Sequence, residues 1–228
     1  SLDRLDVTTR AQLLEGDWNA GDDGLLSFAE IVACEGATLW EPEHQPDRSC
    51  ELFVGVDIGR TRDLTVIFGW ERIGDVFWCR WIDALRGVSF REQRQAIEQR
   101  LTPGVVCCVI DKGGIGYQLA EELESAHPGI VQGIQLSAGV QARLAHRLAV
   151  AIREQRVRLP SDPDLRRDFR LVRRPRTIGG ADRVETTRSD VGHADRFWGA
   201  AMGLDAAAAM VPMTPPPLPR SFRPRTHS

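Results

Sequence analysis

Lysine is nearly missing from this chain: Lys112 is the only one, and arginine supplies every other fixed cation. That bias suits an arginine-rich codon usage. It suits phosphate recognition by planar guanidinium forks equally well, so alone it excludes little. No two of the five cysteines (Cys34, Cys50, Cys79, Cys107, Cys108) show the two-residue gap of a zinc knuckle. Their odd number, and the apolar run around Cys107-Cys108, point away from a disulfide framework and toward a reducing compartment. No apolar run approaches the roughly 20 residues that span a bilayer. Asp3, Arg4 and Asp6 interrupt any apolar leader, so neither a membrane nor a secretory route is expected. Nowhere does a glycine-rich loop close on Lys-Ser or Lys-Thr, which excludes nucleotide hydrolysis through a phosphate loop of that type.

What the chain does have is aspartate at the edge of apolar segments. Asp57 follows Leu52-Phe53-Val54-Gly55-Val56, and Asp111 follows Val105-Val106-Cys107-Cys108-Val109-Ile110. Asp195 opens the apolar stretch Phe197-Trp198-Gly199-Ala200-Ala201-Met202. A carboxylate beside a core is costly unless something neutralises it. Singly, these residues read as turn, strand-end or first-turn aspartates. Together they read as oxygen ligands for hard divalent cations, two Mg²⁺ or Mn²⁺ ions at about 3.5–4 Å separation. Gly55 and Gly59 flank Asp57 and would let a metal or a phosphate backbone come close. Asp63 stands across the following turn as a possible further ligand, and His193 as an accessory group that orders water or contacts phosphate.

The formal net charge of -3 conceals a local excess of arginine at positions 166, 167, 170, 173, 174, 176, 183 and 188. A face of that kind suits a polyanion. Residues 1–50 read as an accessory segment of short helices, one capped by Thr8 or Thr9 and a second over residues 28–35 started by a Ser27/Glu30 capping box. Residues 51–210 read as the main domain. Its order is three antiparallel strands (52–58, 64–71, 75–83), a helix capped by Ser89, strand 105–110, a helix after Gly113-Gly114-Ile115-Gly116, strand 130–136, helix 140–155, strand 156–159 and a helix from Asp162-Pro163. A late hairpin over 171–188 and a helix from about 193 to 210 follow. That is an α/β fold, a mixed sheet with helices on both faces. Residues 211–228 read as a disordered tail rich in proline and arginine.

Three motifs in this order resemble a known family. They are Val54-Gly55-Val56-Asp57-Ile58-Gly59-Arg60 with Asp63-Leu64-Thr65-Val66, then Ile110-Asp111-Lys112-Gly113-Gly114-Ile115-Gly116, then Gly192-His193-Ala194-Asp195-Arg196-Phe197-Trp198. They resemble the C-terminal nuclease domain of the large terminase subunits of tailed phages, most nearly the Mu-like branch. Residues 10–18 are similar to the segment joining that family's ATPase to its nuclease.

The resemblance implies an RNase H-like fold and a metal-dependent endonuclease that cuts phage DNA when packaging starts and ends. It carries the catalytic acids to Asp57, Asp111 and Asp195, with Asp63 at an additional acidic position. Arg60, Arg62, Lys112, Arg173, Arg174, Arg176 and Arg188 are the candidate DNA contacts. The implied partners are double-stranded DNA, an ATPase domain outside this chain, a portal protein and a small terminase subunit, all in the host cell cytoplasm. A Holliday-junction resolvase of the same superfamily would use similar acids. An actin-like sugar kinase or ATPase shares the Asp57-Ile58-Gly59 loop but needs a second such loop, which is not found. A binding module with a degenerate site is the non-enzymatic alternative.

Overall fold

Alternating and continuous apolar runs become a six-stranded mixed sheet in a computed structural model, which describes residues 24–41, 43–59, 64–173, 185–186 and 194–209. Helix α1 (Phe28–Val32) begins at Ser27, whose capping box with Glu30 is formed in both directions. Strands β1 (Glu51–Asp57), β2 (Leu64–Ile73) and β3 (Val76–Arg86) follow. They form an antiparallel meander, turned between β2 and β3 at Gly74, whose φ of +61° is open to glycine. Ser89 and Glu92 cap helix α2 (Phe90–Arg100). Strand β4 (Val105–Asp111) lies parallel to β1, and a 3₁₀ turn at Gly114–Gly116 leads into helix α3 (Tyr117–Ala126).

Strand β5 (Val131–Ile134) pairs parallel with β4. Helix α4 (Ala138–Arg153) starts two residues before the predicted position, because the Ser137 hydroxyl caps it by accepting from the Val140 amide. Strand β6 (Val157–Arg158) joins β3, which completes the sheet order β5-β4-β1-β2-β3-β6. Asp162 caps helix α5 (Pro163–Leu171), with proline at its first turn. Strands β7 (Val172–Arg173) and β8 (Glu185–Thr186) form the base of the late hairpin. Helix α6 (Asp195–Ala209) ends the described fold. The helix expected near Thr8, the hairpin tip at Gly179–Asp182 and the tail 211–228 lie outside the described residues.

Alternation along the strands sorts the core into two layers. Leu52, Val54, Val56, Ile67, Cys108 and Ile110 face α2 and α3. Phe53, Val66, Phe68, Trp70, Cys107 and Val109 face α4, α5 and α6. Helix α6 is apolar from Phe197 to Ala207 except for Asp205, which Arg143 and Arg147 of α4 hold, and it is buried along that length. Its approach to β1 depends on small residues. A Cβ on Gly55 would lie 2.0 Å from the Gly199 carbonyl oxygen and 2.3 Å from the Gly203 nitrogen. Gly55 was expected to admit a metal or phosphate; it admits a helix backbone. Residues 24–37 pack into the same core through Leu25, Leu26, Ile31 and Cys34. Glu30 pairs with Arg153 of α4, and Glu35 with Arg166 of α5.

Candidate functional site

β1 and β4 run side by side, and their last paired residues are Val56 and Ile110. Each strand has one residue more, Asp57 and Asp111. Because Val56 and Ile110 face α2 and α3, alternation turns the next residue of each strand to the α6 side. The two carboxylates therefore stand on adjacent strands, on one face, at the carboxyl edge of the sheet. In open α/β sheets that edge is where ligands gather.

The loop after β4 is built around Asp111. The Gly113 amide donates to Asp111 Oδ1 over 2.9 Å. A Cβ at Gly113 would come within 3.1 Å of that oxygen, and one at Gly116 within 2.9 Å of the Asp111 carbonyl oxygen and 3.2 Å of Ile58. This close wrapping accounts for Gly113 and Gly116, while Gly114 sits at a φ of +58° that favours glycine. Burial pushes the Asp111 carboxyl above its ordinary pKa, although the Gly113 and Leu136 amides pull the other way. Its ionised form thus lacks balancing charge in proportion to its burial. At the exit of β1, the Gly59 amide donates to Thr65 Oγ1 over 3.0 Å.

Asp195 is the first residue of α6 and only 5% exposed. Its Oδ2 accepts from the Leu64 amide, 3.2 Å away, at the start of β2. Since β2 is antiparallel to β1, with Asp57 paired to Val66, the beginning of β2 lies at the edge where Asp57 ends. Ala194, buried at φ +63°, turns the chain into the helix, and its carbonyl accepts from Phe197 and Trp198. Arg196 points to α5, with Nη1 3.0 Å from Asp168 and Nη2 3.3 Å from Asp164. The helix start is thereby held from two sides.

Of the candidate DNA contacts, Lys112 and Arg173 are among the described residues. Lys112 falls on the sheet face opposite the acids; its stem lies against Gly133 and its Nζ is 3.9 Å from Glu124. Arg173 is exposed at the hairpin base, bridged to Gly24. The expected arginine face is partly neutralised: Arg166 forms two bonds to Glu35, and Arg167 pairs with Asp164 at 2.9 Å. Charges on one short helix meet an acid of that helix and one in the segment after α1, which a linear count of arginines does not register. Arg60, Arg62, Asp63, Arg174, Arg176, Arg188 and His193 lie outside the described residues. One residue that sequence reasoning passed over, Arg86, ends β3 at the acid edge; the sequence reading stopped that strand at residue 83, so its place at the strand end comes from the structure.

Among the described residues, no three His, Cys, Asp or Glu side chains converge as a ready-made metal cluster. The donor chemistry nevertheless fits a hard divalent cation: carboxylate oxygens from adjoining strands, one of them destabilised by burial in a way that a cation would relieve. No described helix is long and apolar enough to cross a membrane.

Comparison with known proteins follows the same line. No curated protein matches the chain in sequence. Among solved structures, the large terminase nuclease of thermophilic phage G20c with bound magnesium superposes at a TM-score of 0.66 and 18% identity, covering 81% of this chain and 98% of that one. The nuclease domain of the Thermus phage P74-26 large terminase gives 0.60 at 17% identity, over 77% of this chain and 92% of that one. The bacteriophage HK97 large terminase gives 0.59 at 12% identity, over 80% of this chain but 43% of that one. These likenesses show an RNase H-like terminase-nuclease fold. The profile of the terminase RNase H-like domain matches residues 54–206, which is most of the chain and spans all three acids, and the chain belongs to that family.

Proposed function

We propose that this chain is a divalent-metal-dependent DNA endonuclease of a phage genome-packaging terminase, with Asp57, Asp111 and Asp195 as its catalytic acids. The observation that carries the reading is the placement of Asp57 and Asp111 just past the last pair of two adjacent strands, on one face, near the helix start that presents Asp195. The magnesium-bound and cobalt-bound forms of the phage G20c nuclease support a divalent ion in this family. In this reading Asp57 and Asp111 hold the ions from the sheet, Asp195 completes the set, and Asp63 is a fourth ligand. Two bound Mg²⁺ or Mn²⁺ ions would neutralise phosphate charge and lower the pKa of the attacking water.

The chain's own groups prepare that site. The Gly113 amide fixes the Asp111 carboxylate, and the Leu64 amide fixes that of Asp195. Preset ligands need no reorganisation when DNA arrives. Arg60, Arg62, Arg173, Arg174, Arg176 and Arg188 bind the phosphate backbone of double-stranded DNA, and His193 orders water or touches phosphate. The chain works with an ATPase domain, a portal protein and a small terminase subunit in the host cell cytoplasm.

Nicking of supercoiled plasmid in Mn²⁺ or Mg²⁺ tests the reading. The parent chain should yield open-circular and linear DNA, and EDTA should stop it. If Asp57→Ala and Asp111→Ala cut as fast as the parent, the assignment is wrong. A strong preference for four-way junctions over linear duplex would move the reading to a resolvase.

A further inference from the structure

We propose that Arg86 is a DNA-phosphate contact on the same face and edge as the three acids, holding the backbone one or two nucleotides from the cut. The inference rests on the endonuclease reading and adds a residue to it. Two antiparallel pairings separate β3 from β1, so the two strands run in the same direction. The last residue of β3, Arg86, therefore comes out at the edge where Asp57 and Asp111 end.

The face follows from the register. Arg86 pairs with Leu64, and directly opposed residues of antiparallel strands share a face. Leu64 belongs to the core layer beneath α6, so Arg86 is on the acids' side. The Leu64 amide is the group bonded to Asp195, which leaves Arg86 one strand from the anchor of that acid. Two strand spacings and two residue steps separate its Cα from that of Asp57, roughly 12 Å. An extended arginine side chain closes part of that gap and meets a backbone phosphate near the scissile one. Asp83, three residues earlier, lies on the other face, where Arg100 holds it at 2.6 Å.

Charge gives the reason for a cation here. Three carboxylates on one edge repel a phosphate backbone, and a DNA strand must still come within reach of them. Five described strand ends meet at this edge: Asp57, Leu64, Arg86, Asp111 and Ile134. Of these, Arg86 carries the positive charge. Arg86 is an exposed residue, and a guanidinium is a planar fork that can grip phosphate through two bonds.

The test is a salt titration of duplex binding by the full chain in EDTA, where no cutting occurs, read by fluorescence anisotropy. Arg86→Gln should weaken binding roughly tenfold and reduce the slope of log affinity against log salt by about 0.9. Arg86→Lys should restore the slope, and Arg94→Gln, in the α2 ion pairs with Glu98 and Glu122, should leave it unchanged. Unchanged affinity and slope in Arg86→Gln overturn the proposal. A lowered melting temperature with the parent slope also overturns it, because Arg86 would then be only a counter-ion of the fold. A parent chain that binds duplex without nicking it in Mn²⁺ sinks the nuclease reading and leaves the Arg86 slope to be judged separately. A parent that binds no duplex overturns both.

Discussion

Leu64 donates its backbone N–H to the carboxylate of Asp195 across 131 residues of sequence, at 3.2 Å. The bond joins the first residue of β2 to the first residue of α6, so it serves the fold and orients a proposed ligand together. The two roles separate by substitution. Asp195→Asn keeps an oxygen for the Leu64 amide and should stay within about 1 kcal/mol of the parent stability. Asp195→Ala leaves a buried amide without its acceptor and should lose about 1–3 kcal/mol. Both should lower plasmid nicking roughly 100-fold or more. Urea denaturation read beside nicking rates checks this. If Asp195→Asn cuts at the parent rate, the residue is structural alone.

Gly55 gives a second prediction, about packing. Its missing side chain is where the Gly199 and Gly203 backbone of α6 lies. Gly55→Ala must push α6 off β1 and strain the bond in which Nε1 of Trp70, on β2, donates to the Ala200 carbonyl over 2.9 Å. The expected loss is about 3 kcal/mol or more, at the upper end for overpacking. Gly139→Ala, where an added Cβ meets nothing within 4 Å and the residue is helical, should be neutral or mildly stabilising. Equal urea midpoints for the two variants would refute the close-packing account.

These cases show how far the sequence could be read. Capping boxes at Ser27 and Ser89 and the Asp162-Pro163 start are local signals, and all of them appear in the fold; strand ends were read less well, since the strand expected over 75–83 runs on to Arg86 and the one expected over 130–136 stops at Ile134. The edge location of Asp57 and Asp111 was legible for the same reason, since apolar runs end there. What was not legible depends on register. The opposite faces of Asp111 and Lys112 follow from alternation once the layers are known, and the sequence does not say which layer is which. The helix against Gly55 is remote in sequence, so its glycine was assigned to a ligand. Pairing of Arg166 with Glu35 likewise needs α1 to dock on α5, which no linear pattern reports.

The docking of α1 should depend on pH through Glu30. Burial alone would raise the pKa of this carboxyl, but the Ser27 amide and Arg153 outweigh it and hold the value below the ordinary one. A depressed pKa means that the folded state favours the charged form. Its stabilisation is complete above the ordinary glutamate value and fades as pH falls through the lowered one. Glu30→Gln should therefore cost about 1 kcal/mol at neutral pH, kept small because solvent screens the half-exposed Arg153. The gap to the parent should narrow as pH falls below the ordinary glutamate range and close once the lowered pKa is passed. Urea midpoints for both chains from neutral to acid pH measure it. A pH-independent gap would assign the effect to lost packing.

Asp111 supplies the test of ion binding that needs no DNA. Its carboxylate is fixed by the Gly113 amide and stands next to Asp57 at the sheet edge, destabilised by burial. An ion that binds only the folded chain stabilises it by mass action, about 2.7 kcal/mol at a hundredfold excess over its dissociation constant. For a chain of this length that is a melting shift of roughly 5–10 °C. Mn²⁺ should produce such a shift in the parent relative to EDTA, and Asp111→Asn should lose most of it. Asp111→Asn should also melt at or above the parent temperature in EDTA, because a neutral amide takes the place of a carboxylate that burial disfavours. An equal Mn²⁺ shift in both chains would place the ion elsewhere and remove Asp111 from the ligand set.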